Sequence, residues 1–301
     1  MSGYCEFTDS ARKEYEKHAG CMDGIFPSTI SVESILAWRD VCMAEYQIEM
    51  DYFCIRIYDR IRKITYHYMP LGTYREESFQ ALIDRLYEEN KTDVRKLIFM
   101  DVREEELPWY RKLSGYHVRI SANEAYSDYI YRREELEQAF ERPGERYNKR
   151  YFIRNYHPVI RQAEISDGLI CRDIVTRAFC GWHSCFTCTS GCLKDTISKF
   201  LEASEPETMR GIIVNSDGTD IGYAAGIIQG DTFVFLFKKN CRGYRGLDEY
   251  LQTELLKELP EHVRIINYTE DMGIEGLRNY KRRLAPYDLK PRYQVTVERM
   301  G

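Results

Sequence analysis

The order of secondary-structure patterns in the last third of the chain constrains its fold most. Seven segments there have strand or helix patterns: residues 210–216, 220–228, 232–239, 245–259, 263–268, 273–284 and 293–297. The turn residues Asp217-Gly218 and Gly230-Asp231 separate the first three, which are apolar strands. The whole order is β-β-β-α-β-α-β, and its helical crossovers predict a mixed α/β sheet.

The first half follows a similar but less regular order. Its segments are strands at 53–57 and 61–67, a helix at 76–89, a strand at 96–102 and a short helix with a strand within 104–120. Residues 109–120 and 279–295 share the order of a helix with Tyr and Lys/Arg, a break, an aromatic residue and a strand. This shared order is consistent with two copies of one fold.

The length of 301 residues fits two domains of about 150 residues each. We predict an N-terminal domain at 1–128 and a second domain at 129–301. The second begins with a mainly helical segment at 129–203, and its sheet and helices occupy about 205–301.

Charge and hydropathy limit the partners. The net charge of −5 gives no global attraction to nucleic acid or anionic lipid, so any such binding must use a local basic patch. No apolar window is long enough for a membrane span, and the polar N-terminus has no signal-peptide pattern. We therefore expect a cytoplasmic protein whose ten cysteines are reduced thiols or metal ligands.

Several motifs resemble one known family. They are YIYRREELEQ (129–138), KRYFIRNYHP (149–158), EDMGIEGLRNYKRRLAPYDLKPRY (270–293), FPSTISVESILAWRD (26–40) and RGLDEYLQTELLKEL (245–259). The chain is similar to the C-terminal synthase domain of phosphatidylglycerol lysyltransferases and to the stand-alone proteins that share that domain. The resemblance spans nearly the whole chain, and the motif at 270–281 is its most specific part.

This resemblance implies a tandem pair of GNAT folds, related to Fem-type aminoacyltransferases and joined here by the helical segment. It also implies transfer of an acyl or aminoacyl group from an activated donor to an amine or hydroxyl acceptor. The donor would be an aminoacyl-tRNA or an acyl-CoA, and the acceptor a small molecule or a lipid head group, with peripheral membrane contact as one option.

The junction before the helix at 245–259 is a candidate donor site. Arg242, Gly243, Arg245 and Gly246 precede the helix, where backbone N–H groups attract phosphate and arginines add bidentate contacts. The alternative is a plain strand-to-helix turn. The stretch lacks the Arg/Gln-x-x-Gly-x-Gly/Ala spacing of acetyltransferases, which weakens the case for coenzyme A.

The helix from Gly273 carries the candidate catalytic residues. Arg278 and Lys281 share a face at i, i+3 spacing, and Tyr280 corresponds to a tyrosine that protonates the leaving group in GNAT enzymes. The alternative is a solvated basic face with Tyr280 packed on the sheet.

Two acidic residues complete the candidate set. Asp271, at the end of the preceding strand, would hold a donor ammonium group, or alternatively cap the helix. Glu254 on the long helix is a candidate general base, or merely an exposed glutamate.

A basic face marks the helical segment. Lys149, Arg150 and Arg154, with Arg146, fall at helical spacing and alternate with tyrosines. Such a face suits the phosphates of tRNA or of a lipid head group, and the alternative is a solvated face over an aromatic core.

Four cysteines lie close together: Cys180, Cys185, Cys188 and Cys192, with His183 among them. Tetrahedral zinc is the simpler metal hypothesis and an iron–sulfur cluster the other. A second separated ligand pair is missing, so we favour unliganded thiols.

The leading functional hypothesis is thus a transferase. A non-catalytic tandem-GNAT binding or regulatory protein is the alternative, and a metal-bearing protein built on the cysteine cluster is the third.

Overall fold

The computed structural model describes residues 3–89, 96–180 and 192–300. It divides into two compact units, Met1–Ser127 with Lys290–Gly301, and Asp128–Leu289. The sequence instead predicts a second domain that includes all of 129–301. Within the described residues no helix is long and apolar enough to cross a membrane.

The strands of the described residues are, in chain order, β1 (Cys5–Glu6), β2 (Cys42–Glu49), β3 (Tyr52–Asp59), β4 (Ile64–Tyr68), β5 (Lys96–Val102), β6 (Tyr116–Ala122), β7 (Asp128–Arg132), β8 (Val159–Gln162), β9 (Met209–Ser216), β10 (Thr219–Gln229), β11 (Thr232–Asn240), β12 (Ile265–Asn267), β13 (Asp288–Lys290) and β14 (Tyr293–Arg299). The α-helices are α1 (Arg12–Ala19), α2 (Val32–Ala37), α3 (Glu76–Glu89), α4 (Leu107–Arg111), α5 (Arg133–Phe140), α6 (Pro143–Tyr156), α7 (Gly168–Val175), α8 (Leu193–Ala203), α9 (Leu247–Lys257) and α10 (Glu275–Arg283).

Each unit contains one mixed seven-stranded sheet. The first has the order β1-β2-β3-β4-β5-β14-β6, with β4 and β5 parallel. The second has the order β13-β7-β12-β11-β10-β9-β8, with β11 and β12 parallel. Two mixed sheets with helical crossovers confirm the predicted α/β class.

The local patterns explain why most elements form where they do. Helix α3 has the predicted bounds, and its apolar positions at helical spacing are fully buried: Phe79, Leu82, Ile83 and Leu86. Helix α9 likewise buries Leu247, Leu251 and Leu255. Burying such a leucine contributes about 2 kcal/mol. This burial stabilises helices that would be only marginally stable in isolation.

Two strands lie where the sequence did not place them. β14, read as the last strand of the second half, pairs antiparallel with β5 and β6 of the first sheet. β7, within a segment predicted to be mainly helical, pairs with β12 of the second sheet. The alternation that buries Val295 and Val297 fits any half-buried strand, so local pattern cannot select the partner.

Candidate active site in the second unit

The parallel strands β11 and β12 part in the middle of the second sheet. They pair at three positions, from Thr232↔Ile265 to Val234↔Asn267. β12 ends there, whereas β11 continues to Asn240 with β10 as its remaining partner among the described strands. Phe235 and Tyr268 stack just beyond the last pair, with ring centroids 4.7 Å apart. This strand fork lies at the carboxyl end of β12, a usual place for ligands in α/β sheets.

A fully buried amide, Gln252 of α9, organises the side chains at the strand fork. Its Oε1 accepts a hydrogen bond from the Tyr268 hydroxyl at 2.8 Å. Its Nε2 donates to the Tyr280 hydroxyl at 2.6 Å and to the Asp248 carboxylate at 2.9 Å. Because donors and acceptors lie on opposite sides, the amide has one satisfied orientation. Gln252 therefore fixes both tyrosines and Asp248 relative to one another.

Tyr280 is a neutral phenol with a proton to donate. Burial, together with the nearby Asp248 carboxylate, raises the pKa of Tyr280 well above its ordinary value. Lys238 lies 5.1 Å from the ring centroid and pairs with Asp248 at 2.8 Å. The Tyr280 oxygen accepts from Gln252, and a phenol that accepts one hydrogen bond can still donate its own O–H.

Lys281 is buried beneath the end of β12. Its ammonium donates to the carbonyl oxygens of Tyr268 at 2.5 Å, Thr269 at 3.2 Å and Glu270 at 2.7 Å. Burial lowers the pKa of Lys281 to about 8. Three carbonyl acceptors match the three donors of an ammonium, so Lys281 holds the segment that leaves β12.

Arg278 and Asp271 form a second anchor for the same segment. Arg278 binds Asp271 through two hydrogen bonds of 2.9 and 3.1 Å, and the carboxylate is fully buried. The Tyr129 hydroxyl and the Gly273 backbone N–H also donate to it. Burial alone would raise the pKa of Asp271, but these donors outweigh it and lower the pKa to about 2. The two carboxylate oxygens of Asp271 thus accept four hydrogen bonds. Together Asp271 and Arg278 fix the backbone just before α10.

The predicted donor junction packs against helix α6. Gly246 has φ +87° at the start of α9, and a Cβ there would lie 2.0 Å from the Asn148 carbonyl oxygen. Arg245 donates to the Asn148 side chain and lies 5.2 Å from the ring centroids of both Tyr147 and Tyr151. The glycine at 246 is therefore required by contact between α6 and the start of α9.

The remaining residues of that junction are exposed. Arg242 and Gly243 both face solvent, and Gly243 has φ +92° with open space at its Cβ position. The Gly243 carbonyl accepts a hydrogen bond from the Tyr156 hydroxyl at 3.1 Å. Their role in donor binding stays a prediction.

Helix α6 carries the predicted basic face. Arg146, Arg150 and Arg154 are exposed at i, i+4, i+8 spacing, whereas Lys149 is half-buried and paired with Glu141. The hydrogen bond from Lys149 lowers the pKa of Glu141. The arginine row, without Lys149, is the part of the face that is available to phosphate groups.

Two predicted features lie away from the strand fork or outside the described residues. Glu254 pairs with Lys257 at 2.6 Å on the same helix, one turn along. Of the four clustered cysteines, Cys180 and Cys192 are half-buried thiols, while Cys185, Cys188 and His183 lie outside the described residues.

Local sequence pattern does not point to the central group of the candidate site. Gln252 and Asp248 lie among the leucines of an apolar helix, and Lys238 and Tyr268 lie at strand ends. One signal was present: Asp248 and Gln252 are four residues apart, and a glutamine beside Leu251 on a buried face needs polar partners.

The likeness to solved structures defines the fold class. A tandem GNAT protein from the clavulanic acid biosynthesis pathway is 12% identical, with 97% of each chain covered and a TM-score of 0.54. A conserved protein of unknown function from Bacteroides thetaiotaomicron is 19% identical, with 99% of this chain and 100% of that chain covered and a TM-score of 0.84. The chain thus has a tandem GNAT fold, as the resemblance implied.

The family follows from the sequence. The profile described as "Phosphatidylglycerol lysyltransferase, C-terminal" matches residues 27–296, so the chain belongs to that family. The structure of L-PGS from Bacillus licheniformis is 14% identical, with 95% of this chain and 90% of that chain covered and a TM-score of 0.64. No curated protein sequence matches significantly. Family and fold together support an acyl- or aminoacyltransferase.

Proposed function

We propose that the second unit transfers an acyl or aminoacyl group to an amine or hydroxyl acceptor at the strand fork. Membership of a family named for a lysyltransferase supports this class of reaction. The observation that carries the proposal is the hydrogen bond from Gln252 to the Tyr280 oxygen, which leaves the phenolic proton for a ligand. A neutral tyrosine held in this way is suited to protonate a leaving group.

The proposed reaction is an acyl transfer through a tetrahedral intermediate. The acceptor nitrogen or oxygen attacks the donor carbonyl carbon, and Asp248 takes the proton that the acceptor loses. The C–O bond of an ester donor then breaks, and Tyr280 gives its proton to the departing oxygen. The Tyr280 phenolate then takes a proton from solvent and Asp248 releases its proton to solvent, so charge and protons balance after one cycle.

In this proposal Arg278, Asp271 and Lys281 are positioning residues. They bind one another or the backbone of residues 268–273, and a carboxylate with a pKa of about 2 is a poor base at neutral pH. Their effect on the reaction is to keep Tyr268 and Tyr280 at the fixed separation that Gln252 bridges.

For the donor, we favour an aminoacyl-tRNA over an acyl-CoA. The exposed row Arg146, Arg150 and Arg154 supplies three cations at the spacing of a helix face, on a chain of net negative charge. Arg245, stacked on Tyr147 and Tyr151, adds a surface on which an unpaired base can stack. The acceptor we propose is a lipid head group with a free hydroxyl or amine.

The test is a transfer assay with the full chain, labelled charged tRNAs, labelled acetyl-CoA and vesicles that contain phosphatidylglycerol. We expect label from a charged tRNA to enter the lipid fraction, and Tyr280→Phe to lower kcat by about 100-fold. Tyr287→Phe, the same change at an exposed tyrosine of the same unit, should leave kcat unchanged. A Tyr280→Phe variant as fast as the wild type would refute the proposed role.

Variants of the arginine row distinguish an aminoacyl-tRNA donor from an acyl-CoA donor. Arg150→Gln with Arg154→Gln should raise KM for charged tRNA and flatten its salt dependence, because two phosphate contacts are lost. Arg119→Gln, at an exposed arginine of the first unit, is the matched control. Turnover of acetyl-CoA that is insensitive to the arginine row would favour an acyl-CoA donor. Binding of donors without turnover would favour the non-catalytic alternative.

A further inference from the structure

One end of the first sheet presents an exposed apolar and basic surface. Five large apolar side chains there are exposed by about a third to a half: Trp38, Met43, Tyr58, Ile61 and Ile64. They belong to the loop at 38–41, to the adjoining ends of β2, β3 and β4, and to the turn that joins β3 to β4. We call these two loops and the strand ends the hairpin tip.

Backbone contacts bring these residues to one place. Met43 and Tyr58 are directly opposite in the β2–β3 ladder, and Ile64 is opposite Asp59. The Arg60 N–H donates to the Val41 carbonyl at 2.9 Å, which joins the loop that carries Trp38 to the turn that carries Ile61. Because side chains alternate between the two faces of a sheet, Met43 and Tyr58 lie on one face and Ile64 on the other, and Trp38 and Ile61 lie in the loops at the same end. The apolar residues thus surround one end of the sheet and are not scattered singly over the surface.

Cations surround this apolar group. Arg39, Arg60, Arg62 and Lys63 are all exposed, and the two acids of the same loops are Asp40 and Asp59. Asp59 is 7% exposed, so Asp40 is the exposed acid among these loop residues. The hairpin tip therefore carries a local positive charge on a chain whose net charge is −5.

Hydrogen bonds fix the turn between β3 and β4 in the unbound protein. The Asp59 carboxylate accepts hydrogen bonds from the backbone N–H groups of Ile61 and Arg62, each at 2.8 Å. The Lys63 N–H donates to the Asp59 carbonyl at 2.8 Å, and Lys63 has φ +55°. A preorganised turn loses little conformational entropy on binding.

We propose that the hairpin tip docks the protein on the surface of an anionic lipid bilayer. Trp38 and Tyr58 have the amphipathic rings that favour the head-group level of a membrane, and Ile61 and Ile64 insert their side chains below it. Arg60, Arg62 and Lys63 then meet the lipid phosphates. Nucleic acid offers no apolar phase for two exposed isoleucines, and charge complementarity favours an anionic surface over a second copy of this acidic chain.

Binding is measured with the full chain and no donor, so it stands or falls independently of the transfer reaction. Flotation with vesicles of phosphatidylserine and phosphatidylcholine in equal parts should capture the protein, and vesicles of phosphatidylcholine alone should not. Phosphatidylglycerol in place of phosphatidylserine should bind equally well, because the hairpin tip recognises charge rather than a substrate head group. Binding should weaken as salt rises.

Two variants and their matched controls locate the surface. Arg62→Gln with Lys63→Gln should weaken vesicle affinity roughly 25-fold, since each basic residue near the membrane contributes about fivefold. Ile61→Ser with Ile64→Ser should weaken it by about tenfold or more. Lys13→Gln and Ile48→Ser, at an exposed lysine and an exposed isoleucine away from the hairpin tip, should bind like the wild type.

Fluorescence quenching of Trp38 tests the same docking on the wild-type protein, without any substitution that could destabilise it. Lipids brominated in their acyl chains should quench the fluorescence of Trp38, and the quenching should disappear in Trp38→Phe. Equal vesicle binding by wild type and both hairpin-tip variants would overturn the proposal. So would binding to phosphatidylglycerol alone, loss of binding only in Arg150→Gln with Arg154→Gln, or sedimentation showing a dimer that depends on Ile61 and Ile64.

Discussion

At the scale of single residues, the second unit contains buried polar side chains whose hydrogen-bond partners explain why they can be buried. Gln252 is buried with a hydrogen bond on every side of its amide, and Lys281 is buried beneath three carbonyl oxygens. Buried groups of this kind are tolerated only when they are paired, and their pairing fixes a local geometry. Such residues shape the strand fork without having to touch a substrate.

Lys281 makes stability depend on pH in a defined direction. Its folded pKa of about 8 lies below the ordinary value of 10.5, so between these values the unfolded chain binds more protons than the folded one. The free energy of unfolding must then rise with pH over that window. We expect the wild type to gain about 2 kcal/mol relative to Lys281→Met between pH 7 and pH 10.

The measurement is urea unfolding of the wild type and of Lys281→Met at each pH. The contributions of all other titrating groups cancel in the difference between the two free energies of unfolding. Far-ultraviolet circular dichroism shows whether the variant is folded at each pH. A difference that stays flat or falls with pH would contradict the assignment of a buried, paired ammonium.

At the scale of elements, contact between α6 and the start of α9 joins the basic helix to the helix that carries Gln252. The contact depends on Gly246, whose backbone approaches the Asn148 carbonyl, and on the buried ring pair Phe152 and Tyr250, with centroids 5.0 Å apart. Any ligand bound to the arginine row of α6 is therefore bound to an element in direct contact with α9.

Gly246→Ala tests this contact. Its Cβ would meet the Asn148 carbonyl at 2.0 Å in addition to the strain of φ +87°, so α6 and α9 must separate. We expect a loss of at least about 3 kcal/mol in the free energy of unfolding. The matched change Gly243→Ala has a similar φ of +92° but open space at its Cβ, and should cost about 1 kcal/mol. Equal losses in chemical denaturation would argue against the contact.

At the scale of the whole molecule, the order of residues along the chain does not match their division between the two units. Residues 290–301 follow the second unit in sequence but belong to the first, where β14 lies between β5 and β6. An interior strand supplies hydrogen bonds to both neighbours, so the first sheet cannot be complete until residues 293–299 join it.

Removal of residues 290–301 should therefore destabilise the first unit selectively. β5 would become an edge strand, β6 would lose β14, its partner among the described strands, and the apolar faces under Val295 and Val297 would be exposed. Hydrogen exchange should show lost protection in 97–102 and 116–122 and retained protection in 209–216. Equal loss in both units, or none, would contradict the strand assignment.

Short-range pattern was sufficient for most elements. The predicted helix at 76–89 and strand at 96–102 have the same bounds in the structure, because periodicity and turn residues act within a few positions. The strand β2 was missed because Ala44, Gln47 and Glu49 interrupt its apolar alternation. For the candidate site, local pattern places Arg278, Lys281 and Tyr280 on one helix, whereas their hydrogen-bond partners are set by tertiary contacts, and the roles of these residues stay predictions.

The sequence by itself determined most of the element order within each half, the mixed α/β class, the family and the helix that carries Tyr280. Only the tertiary structure decided that β14 joins the first sheet, that Arg278 and Lys281 orient the backbone, and that Gln252 bridges Tyr268 and Tyr280. The physical reason is range: propensity and periodicity act over a few residues, whereas Tyr129 and Asp271 are 142 positions apart in sequence. Hydrogen bonds between such distant positions form only after the chain has selected its strand partners.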